Sequence, residues 1–353
     1  MASSTTATLA PFPAPPSGTQ TYADNQQRTN TIAAAALLRH VVPEICLGRF
    51  PQVKPVPKNK ADNVTFLRPV PFGVTGSVTP IDEGVTPSAK RINFETVAAT
   101  LLQYAQVFSW TDKMVLAEDN VPEIVAGLAA EQAALTLETL LFNVAKSGTN
   151  VLYDKNSHTT RATVDSRITT TRLRAACRTL SAQGASMITD ILEATTRIST
   201  EPIEAAHIAV SHTDVTPDWR DLTGYIHKSH YGVTREISSH EHGSFEGVRG
   251  LATRHFTPWQ AAGAAVGATG MQADDATNIE VYPVLVFGKD WLGATPLRGM
   301  ESVKTTVLPT SQTDKSDPVG QKGFFTWCVW VAYLILNQQF GVRIEVGASD
   351  LAN

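Results

Sequence analysis

Residues 120–146 read NVPEIVAGLAAEQAALTLETLLFNVAK and contain the strongest helix signal of the chain. Asn120 can cap a helix, Glu123 three residues later completes a capping-box-like pair, and Pro122 is tolerated in the first turn. Gly148 lies just beyond the stretch and is a typical helix stop. The stretch therefore predicts one helix of about 26 residues, which would be roughly 39 Å long.

The apolar face of this predicted helix changes along its length. Residues at helical spacing form one stripe in the first half and another in the second half, and the second lies roughly 160° around the axis from the first. The two stripes are Val121, Ile124, Val125 and Leu128, and then Leu137, Leu140, Leu141 and Val144. We expect a long spine whose two ends pack against different material.

The residues before the helix predict a hairpin with a long tip. Residues 64–72 are typical of a strand, and Pro69 and Pro71 favour a sheet edge. Residues 91–97 alternate apolar and polar side chains, as a return strand would. The tip, residues 73–90, is unusually long for a compact domain. Two interpretations stay open, a surface loop and a projecting arm that a neighbouring subunit orders.

Other segments give a coarse outline of the chain. Residues 1–30 predict an arm without a core, residues 31–42 a short helix, and residues 51–60 an extended connector. After the long helix the pattern predicts a second helix and several buried or alternating strands. These are the helix at 169–184, the strands at 206–210 and 281–287, a loop at 261–277, an apolar stretch at 324–336, a turn at 337–340 and a strand at 342–346.

Composition excludes several classes of protein. The chain has 353 residues, and only 18% of them are charged, with a net charge of -4. No basic block supports a broad platform for nucleic acid. Cys46, Cys177 and Cys328 are too few and too scattered for a disulfide framework, which favours a reducing compartment. We find no basic start of a signal peptide, and the longest apolar run, 327–336, is shorter than the ~18 residues of a membrane span.

Motifs for catalysis are absent or weak. There is no phosphate-binding G-x-x-x-x-G-K-[ST] and no G-x-S-x-G elbow, and the glycines at 263, 267 and 270 have the wrong spacing for a dinucleotide site. Seven of the nine histidines lie between His207 and His255. Clustered imidazoles can bind zinc, but no ligand spacing accompanies them, so satisfied or surface histidines are the favoured interpretation. We assign no catalytic residue, no cofactor and no metal ligand, and expect the protein to act by packing and assembling.

Several stretches in a fixed order resemble one known family. They extend from about residue 60 to residue 346, and the match depends on their order and spacing. They are Phe66–Phe72, Glu83–Pro87, Thr100–Ala105, Thr111–Asp112, Thr149–Asn150 with Tyr153, Asp221–Leu222, Gly243–Arg249, Asp317–Gln321, Ile335–Asn337 and Val342–Glu345. In this order the chain resembles the major capsid proteins of tailed bacteriophages with the Hong Kong 97 type fold, and more narrowly the N-four-like podophage capsid family.

The resemblance implies an α+β fold with a fixed division of the chain. It implies an N-terminal arm and short helix at 1–60, an extended hairpin loop at 61–100, and a peripheral domain with the spine helix at 101–150. An axial domain would follow at 151–315, and residues 316–353 would return as strands of the peripheral domain.

The resemblance also implies a role and partners. The expected function is a major capsid protein that self-assembles into hexamers and pentamers of an icosahedral head. The head would enclose double-stranded DNA, contacted weakly and without sequence specificity. Decoration, scaffold and portal proteins are further candidate partners, and no membrane is expected. The expected location is the virion capsid, assembled in the bacterial host cytoplasm.

Four charged residues are candidate contacts between subunits or domains: Arg68, Glu83, Glu246 and Arg249. The alternative for each is an ordinary solvated surface charge. Two other functions stay open. One is a metal-dependent enzyme that uses the His207–His255 region, and the other is a cellular shell protein of the same fold that encloses a cargo enzyme.

Overall fold

The computed structural model describes most of the chain after residue 44. The described residues are 45–57, 63–70, 72, 83–84, 86, 89, 91–117, 121–188, 205–231, 236–267, 270–274, 277–297, 303–310, 312–313 and 317–351. The arm predicted at 1–30, the helix predicted at 31–42, the cap residue Asn120 and most of the hairpin tip therefore lie outside the described residues.

The elements follow in chain order. The helices are α1 (Asp112–Ala117), α2 (Val121–Lys146), α3 (Thr170–Ala182) and α4 (Thr216–Arg220). The strands are β1 (Gln52–Val53), β2 (Asn63–Pro69), β3 (Phe94–Thr100), β4 (Leu102–Thr111), β5 (Val151–Tyr153), β6 (His207–His212), β7 (Ile226–His227), β8 (Glu241–Phe245), β9 (Val248–Thr253), β10 (Tyr282–Phe287), β11 (Leu292–Pro296), β12 (Val303–Leu308), β13 (Lys322–Ile335) and β14 (Gly341–Val346).

The long helix predicted at 120–146 is confirmed as α2. Its first half packs through Val121 and Ala129 on a sheet that contributes Trp110 and Trp327. Its second half packs in a different apolar cluster, where Leu141, Phe142 and Ala145 lie beside Leu285 and Phe287 of β10. The expectation that the two ends meet different material is therefore correct.

One detail of the predicted stripe is wrong. Leu128 is 40% exposed, and the small residues Ala129 and Ala133 face the sheet instead. The bulky indole rings of Trp110 and Trp327 fill the space between helix and sheet, so alanine is the size that fits there. The Trp327 indole N–H also donates to the side-chain oxygen of Gln132 at 3.1 Å, which fixes the helix on the sheet.

The first sheet is built around β13, a strand of 14 residues. β4 pairs with it along one edge, and β12 and β11 pair with successive parts of the other edge, all antiparallel. β1 then adds in parallel to β11. The predicted connector at 51–60 is thus corrected in part, because Gln52 and Val53 form a short strand. Below, the five strands β1, β4, β11, β12 and β13 are called the first sheet.

The second sheet has the strand order β5-β14-β10-β6-β9-β8-β7. All six residues of β10 are buried, since helix α3 covers one face of the sheet and the C-terminal half of α2 covers the other. The strands predicted at 206–210, 281–287 and 342–346 correspond to β6, β10 and β14, and the helix predicted at 169–184 corresponds to α3.

The two sheets are joined by consecutive strands. β13 belongs to the first sheet, and β14, after a turn at Gln338–Phe340, belongs to the second. β11 and β12, which precede residue 315, pair with β13, which follows it. The division of the chain at residues 150 and 315 stays a prediction.

Helix α2 is long and apolar enough to cross a membrane by length and composition. Its contacts indicate another role, because its two halves pack on two sheets of the same chain. It also carries the carboxylate of Glu138, which is only 2% exposed and is bonded to backbone N–H groups of residues 46–48. We therefore treat α2 as the central helix of the folded chain.

Candidate assembly surfaces and polar clusters

The hairpin of β2 and β3 forms a separate two-stranded sheet with one open face. The strands pair antiparallel over their whole length, as predicted for 64–72 and 91–97. The inner face rests through Phe66 and Val97 against an apolar cluster that includes Leu334 of β13. The outer face carries Leu67, 65% exposed, and Phe94, 58% exposed. A two-stranded ribbon is only marginally stable in water, and exposed large apolar side chains on it are typical of an interaction surface.

The side of the first sheet on which the hairpin rests is otherwise open. Odd-numbered residues of β13, such as Phe325 and Trp327, pack under α2. Even-numbered residues alternate to the other side, where Trp330 is 36% exposed. Val107 of β4 and Leu308 of β12 add exposed apolar surface on this side. In the described part of the chain no helix covers this face.

The four predicted contact residues lie in the β2–β3 hairpin, in its tip and around the β8–β9 turn. Arg68, Glu246 and Arg249 each form an ion pair within the chain. Arg68 pairs directly across the hairpin with Glu95. Glu83 is exposed in the hairpin tip. Glu246 receives two hydrogen bonds from the guanidinium of Arg174, at 2.7 and 2.5 Å, on the surface of the second sheet. All three are partly or fully open to solvent, and a contact with a neighbouring subunit stays a prediction for each.

Arg249 differs from the other three because it is buried, with 3% exposure. Its guanidinium lies 3.5 Å from Glu241 and over the ring of Tyr231. Glu241 also accepts the backbone N–H of Ile237 at 2.6 Å and the hydroxyl of Tyr231 at 2.7 Å. This buried group holds Tyr231 and Ile237 beside the start of β8, and an intersubunit role for Arg249 stays a prediction.

The histidines between 207 and 255 do not converge on one point. Burial lowers the pKa of His207, whose two ring nitrogens have no hydrogen-bond partner. His212 lies 3.0 Å from Asp214, and His242 lies 3.0 Å from the hydroxyl of Tyr225. Burial, aided by the charge of Arg220, lowers the pKa of His242 to about 4. These three rings lie in separate surroundings, and among the described residues the candidate ligand group that does form contains none of them.

Among the described residues, one group of ligand atoms does converge, and it lies outside the histidine-rich segment. It consists of Asp154, His158 and Asp165. Asp154 already accepts the backbone N–H groups of Asp165 and Ser166 at 3.0 and 2.9 Å, and the His158 ring at 2.6 Å. Asp165 pairs with Lys155 at 2.5 Å. The lone pairs of Asp154 are occupied, so this group is a loop clamp that holds the turn after β5.

A cationic cluster lies at the C-terminal end of α2, around the indole of Trp259. Lys146 Nζ is 4.1 Å from the ring centroid, and the guanidinium carbon atoms of Arg161 and Arg343 are 3.5 and 5.4 Å from it. Glu345, fully buried, accepts two hydrogen bonds from Arg161, at 2.8 and 2.9 Å, and one from Arg343 at 2.9 Å. Below, these five residues are called the Trp259 cluster.

Sequence reasoning missed both the Trp259 cluster and the role of Glu138. A signal for Glu138 exists, because it lies beside Leu137 and Leu141 in the second apolar stripe of α2. A carboxylate on an apolar face needs a partner, and that need could have been predicted. The Trp259 cluster draws on residues 146, 161, 259, 343 and 345, which are too far apart in the chain for any local pattern to unite them.

This chain matches known proteins by shape and not by sequence. No protein-family model matches the chain, and no curated protein matches it by sequence. Solved structures do match by shape. The capsid of Ralstonia phage GP4 is 12% identical, with a TM-score of 0.61 over 92% of this chain and 99% of that chain. The capsid of cyanophage P-SCSP1u is 12% identical, with a TM-score of 0.60 over 90% and 92% of the two chains.

This chain has the phage capsid fold. The likeness covers most of both chains rather than one shared motif. The predicted α+β class and the resemblance to tailed-phage capsid proteins are confirmed at the level of the fold. The narrower resemblance to N-four-like podophages stays a prediction.

The phage capsid fold is also found in cellular shells. The holo-SrpI encapsulin complex from Synechococcus elongatus is 9% identical to this chain, with a TM-score of 0.51 over 87% of this chain and 91% of that chain. The capsid fold alone therefore leaves two kinds of shell protein to compare.

Proposed function

We propose that this protein is the major capsid protein of a tailed bacteriophage, a subunit that assembles into a closed shell around double-stranded DNA. The observation that carries the proposal is the open hairpin, because its outer face exposes Leu67 and Phe94 on a ribbon with no core of its own. The shape of the two phage capsids, matched over nine-tenths of this chain or more, supports it.

The proposed assembly follows from burial. The outer face of the hairpin and the open face of the first sheet both carry large apolar side chains in water, namely Leu67 and Phe94 on one and Val107 and Trp330 on the other. Each square ångström of apolar surface that a neighbour removes from water stabilises the assembly by about 25 cal/mol. We propose that hairpin and sheet of adjacent subunits cover each other in hexamers and pentamers. Decoration, scaffold and portal proteins would act on that shell, which would form in the host cytoplasm and end in the virion.

Microscopy of the purified full chain tests the proposal. Negative-stain images over a range of protein and salt concentration are expected to contain shells, tubes or rings of five or six subunits. The double variant Leu67→Ser with Phe94→Ser is expected to stay a folded, dispersed subunit, because both side chains are exposed before assembly. Leu351→Ser, at an exposed leucine away from the hairpin, is the matched control and should still assemble.

Two results would contradict the proposal. Wild-type protein that stays monomeric at every protein and salt concentration would argue that the chain does not form a shell. Normal shells from the double variant would argue that the hairpin face is not an assembly surface.

A cellular shell that encloses a cargo enzyme is the second candidate, favoured by the match to the encapsulin complex. The two differ in content. Purified particles from the native source should hold nuclease-protected DNA if the first proposal is right, and a second protein in fixed ratio if the second one is.

A further inference from the structure

The Trp259 cluster holds more positive than negative charge. Lys146, Arg161 and Arg343 are cations, and Glu345 is the one carboxylate bonded to them. Glu345 is committed to the two arginines and is fully buried. Among the described residues, no carboxylate forms an ion pair with Lys146.

Backbone groups do not supply the missing negative charge to Lys146. The carbonyl groups at the C-terminal end of a helix normally stabilise a cation there. In this chain these carbonyl groups bind Arg343 instead of Lys146. One guanidinium nitrogen of Arg343 donates to the carbonyl oxygen of residue 146 and, at 2.9 Å, to that of Gly148. The ammonium of Lys146 donates to the single carbonyl of Thr257 at 2.9 Å and otherwise lies on the Trp259 ring.

Two cations of the cluster have N–H groups beyond those bound within the described chain. Arg161 binds Glu345 through Nε and Nη2, so its Nη1 group is left over, and about a third of its side chain is exposed. Lys146 is half-buried and has N–H groups beyond the one that Thr257 takes. Burial, together with the charges of Arg161 and Arg343, lowers the pKa of Lys146 to about 8. A cation crowded in this way gains most from an added anion.

We infer that the Trp259 cluster binds a phosphate group through the ammonium of Lys146 and the Nη1 group of Arg161, both of which lie on the Trp259 ring. Arginine and lysine donors match phosphate oxygens in geometry and charge. The phosphate comes from a free phosphate ion or from a nucleic-acid backbone, and the same donors serve both. The inference depends on the geometry of one subunit and does not require the proposed shell.

The experiment measures how fast each lysine of the full-length chain is acylated, by mass spectrometry, as the pH is varied. The neutral amine is the reactive form, so the rate of Lys146 reports its pKa and its access to solvent. Lys289, exposed in the turn after β10, is the internal control. Inorganic phosphate and a short duplex oligonucleotide are added separately, each matched in ionic strength by chloride.

Phosphate is expected to slow acylation of Lys146 at pH 8 at least threefold relative to Lys289, and Arg161→Gln should abolish this protection. Protection by the oligonucleotide as well would identify a nucleic-acid backbone as the source. Protection by phosphate with none from the oligonucleotide would identify the free ion. Equal rates in phosphate, oligonucleotide and chloride would overturn the inference, and that comparison needs no variant.

Discussion

Glu138 of helix α2 accepts the backbone N–H of Leu47 at 2.5 Å, across 91 positions of the chain. The same carboxylate accepts the N–H groups of Cys46 and Gly48, each at 3.0 Å. Burial raises the pKa of Glu138, and the three N–H groups oppose that rise. One side chain thus satisfies a whole turn of backbone and ties the start of the described chain to the central helix.

Replacing Glu138 with Gln should destabilise the subunit by about 1–3 kcal/mol, the usual cost of a buried donor without an acceptor. The amide keeps the size of the carboxylate but has one acceptor oxygen, so an N–H among residues 46–48 loses its partner. Denaturant unfolding measures the difference. Glu131→Gln, on the same helix but without a hydrogen bond among the described residues, is the control. Equal stability of the two variants would contradict this role of Glu138.

A second comparison concerns two glutamates that each bind an arginine. Glu345→Gln should cost about 3–5 kcal/mol, because it removes the buried counter-charge of Arg161 and Arg343. Glu246→Gln breaks an exposed pair with Arg174 and should leave the unfolding midpoint nearly unchanged. Thermal unfolding of both variants tests the ranking. A larger loss for Glu246→Gln than for Glu345→Gln would mean that the surface pair has a structural role that its exposure does not indicate.

The sequence predicts elements better than it predicts their partners. α2 was found because an uninterrupted helical pattern of 26 residues is a local property, and the hairpin strands were found because alternation is local too. The pairing of β1 with β11 was not predicted, since two residues carry no period. Leu128 was assigned to the packed stripe because hydrophobicity alone does not reveal that Trp110 and Trp327 leave room only for alanine.

The same limit applies to the candidate site residues, because the sequence predicts a charged residue better than it predicts that residue's partner. Arg68 and Glu246 were selected as charges, but their partners Glu95 and Arg174 depend on register and on tertiary packing. Arg249 was predicted to be a contact residue, but its side chain is buried beside Glu241 and Tyr231. The sequence pattern did not reveal this burial, because it depends on how the strands pair. Resemblance in the order of motifs supplied the fold, which no single motif could have done.

Gly323 of β13 tests the packing between the first sheet and α2. A Cβ atom at this position would lie 2.4 Å from the indole nitrogen of Trp110, so Gly323→Ala must displace a buried ring. We expect a loss of about 1–3 kcal/mol, as for other overpacked cores. Gly127→Ala is the control, because nothing lies within 4 Å of its Cβ and alanine favours a helix by up to about 1 kcal/mol. Unfolding of both variants in denaturant should therefore give opposite signs, and a neutral Gly323→Ala would show that Trp110 can move at no cost.

Lys146 should give the subunit a distinct pH dependence. Its pKa is lowered to about 8 from 10.5, chiefly by burial and then by Arg161 and Arg343. Between these values the unfolded chain binds more protons than the folded one, so stability rises with pH through this window. The contribution is complete above 10.5 and is lost as the pH falls through 8. Because the side chain is partly open to solvent, screening reduces the effect to roughly 1 kcal/mol.

Lys146→Met removes this titration, and the measurement is the unfolding free energy of wild type and variant from pH 7 to pH 10.5. The variant should be the more stable protein near pH 7, where wild type must hold a third cation beside Arg161 and Arg343. The advantage should shrink steadily above pH 8. Lys289→Met, which changes an exposed lysine, controls for the loss of one positive charge. If the two curves of unfolding free energy against pH stay parallel over the whole range, the pKa of Lys146 is not lowered in the folded protein.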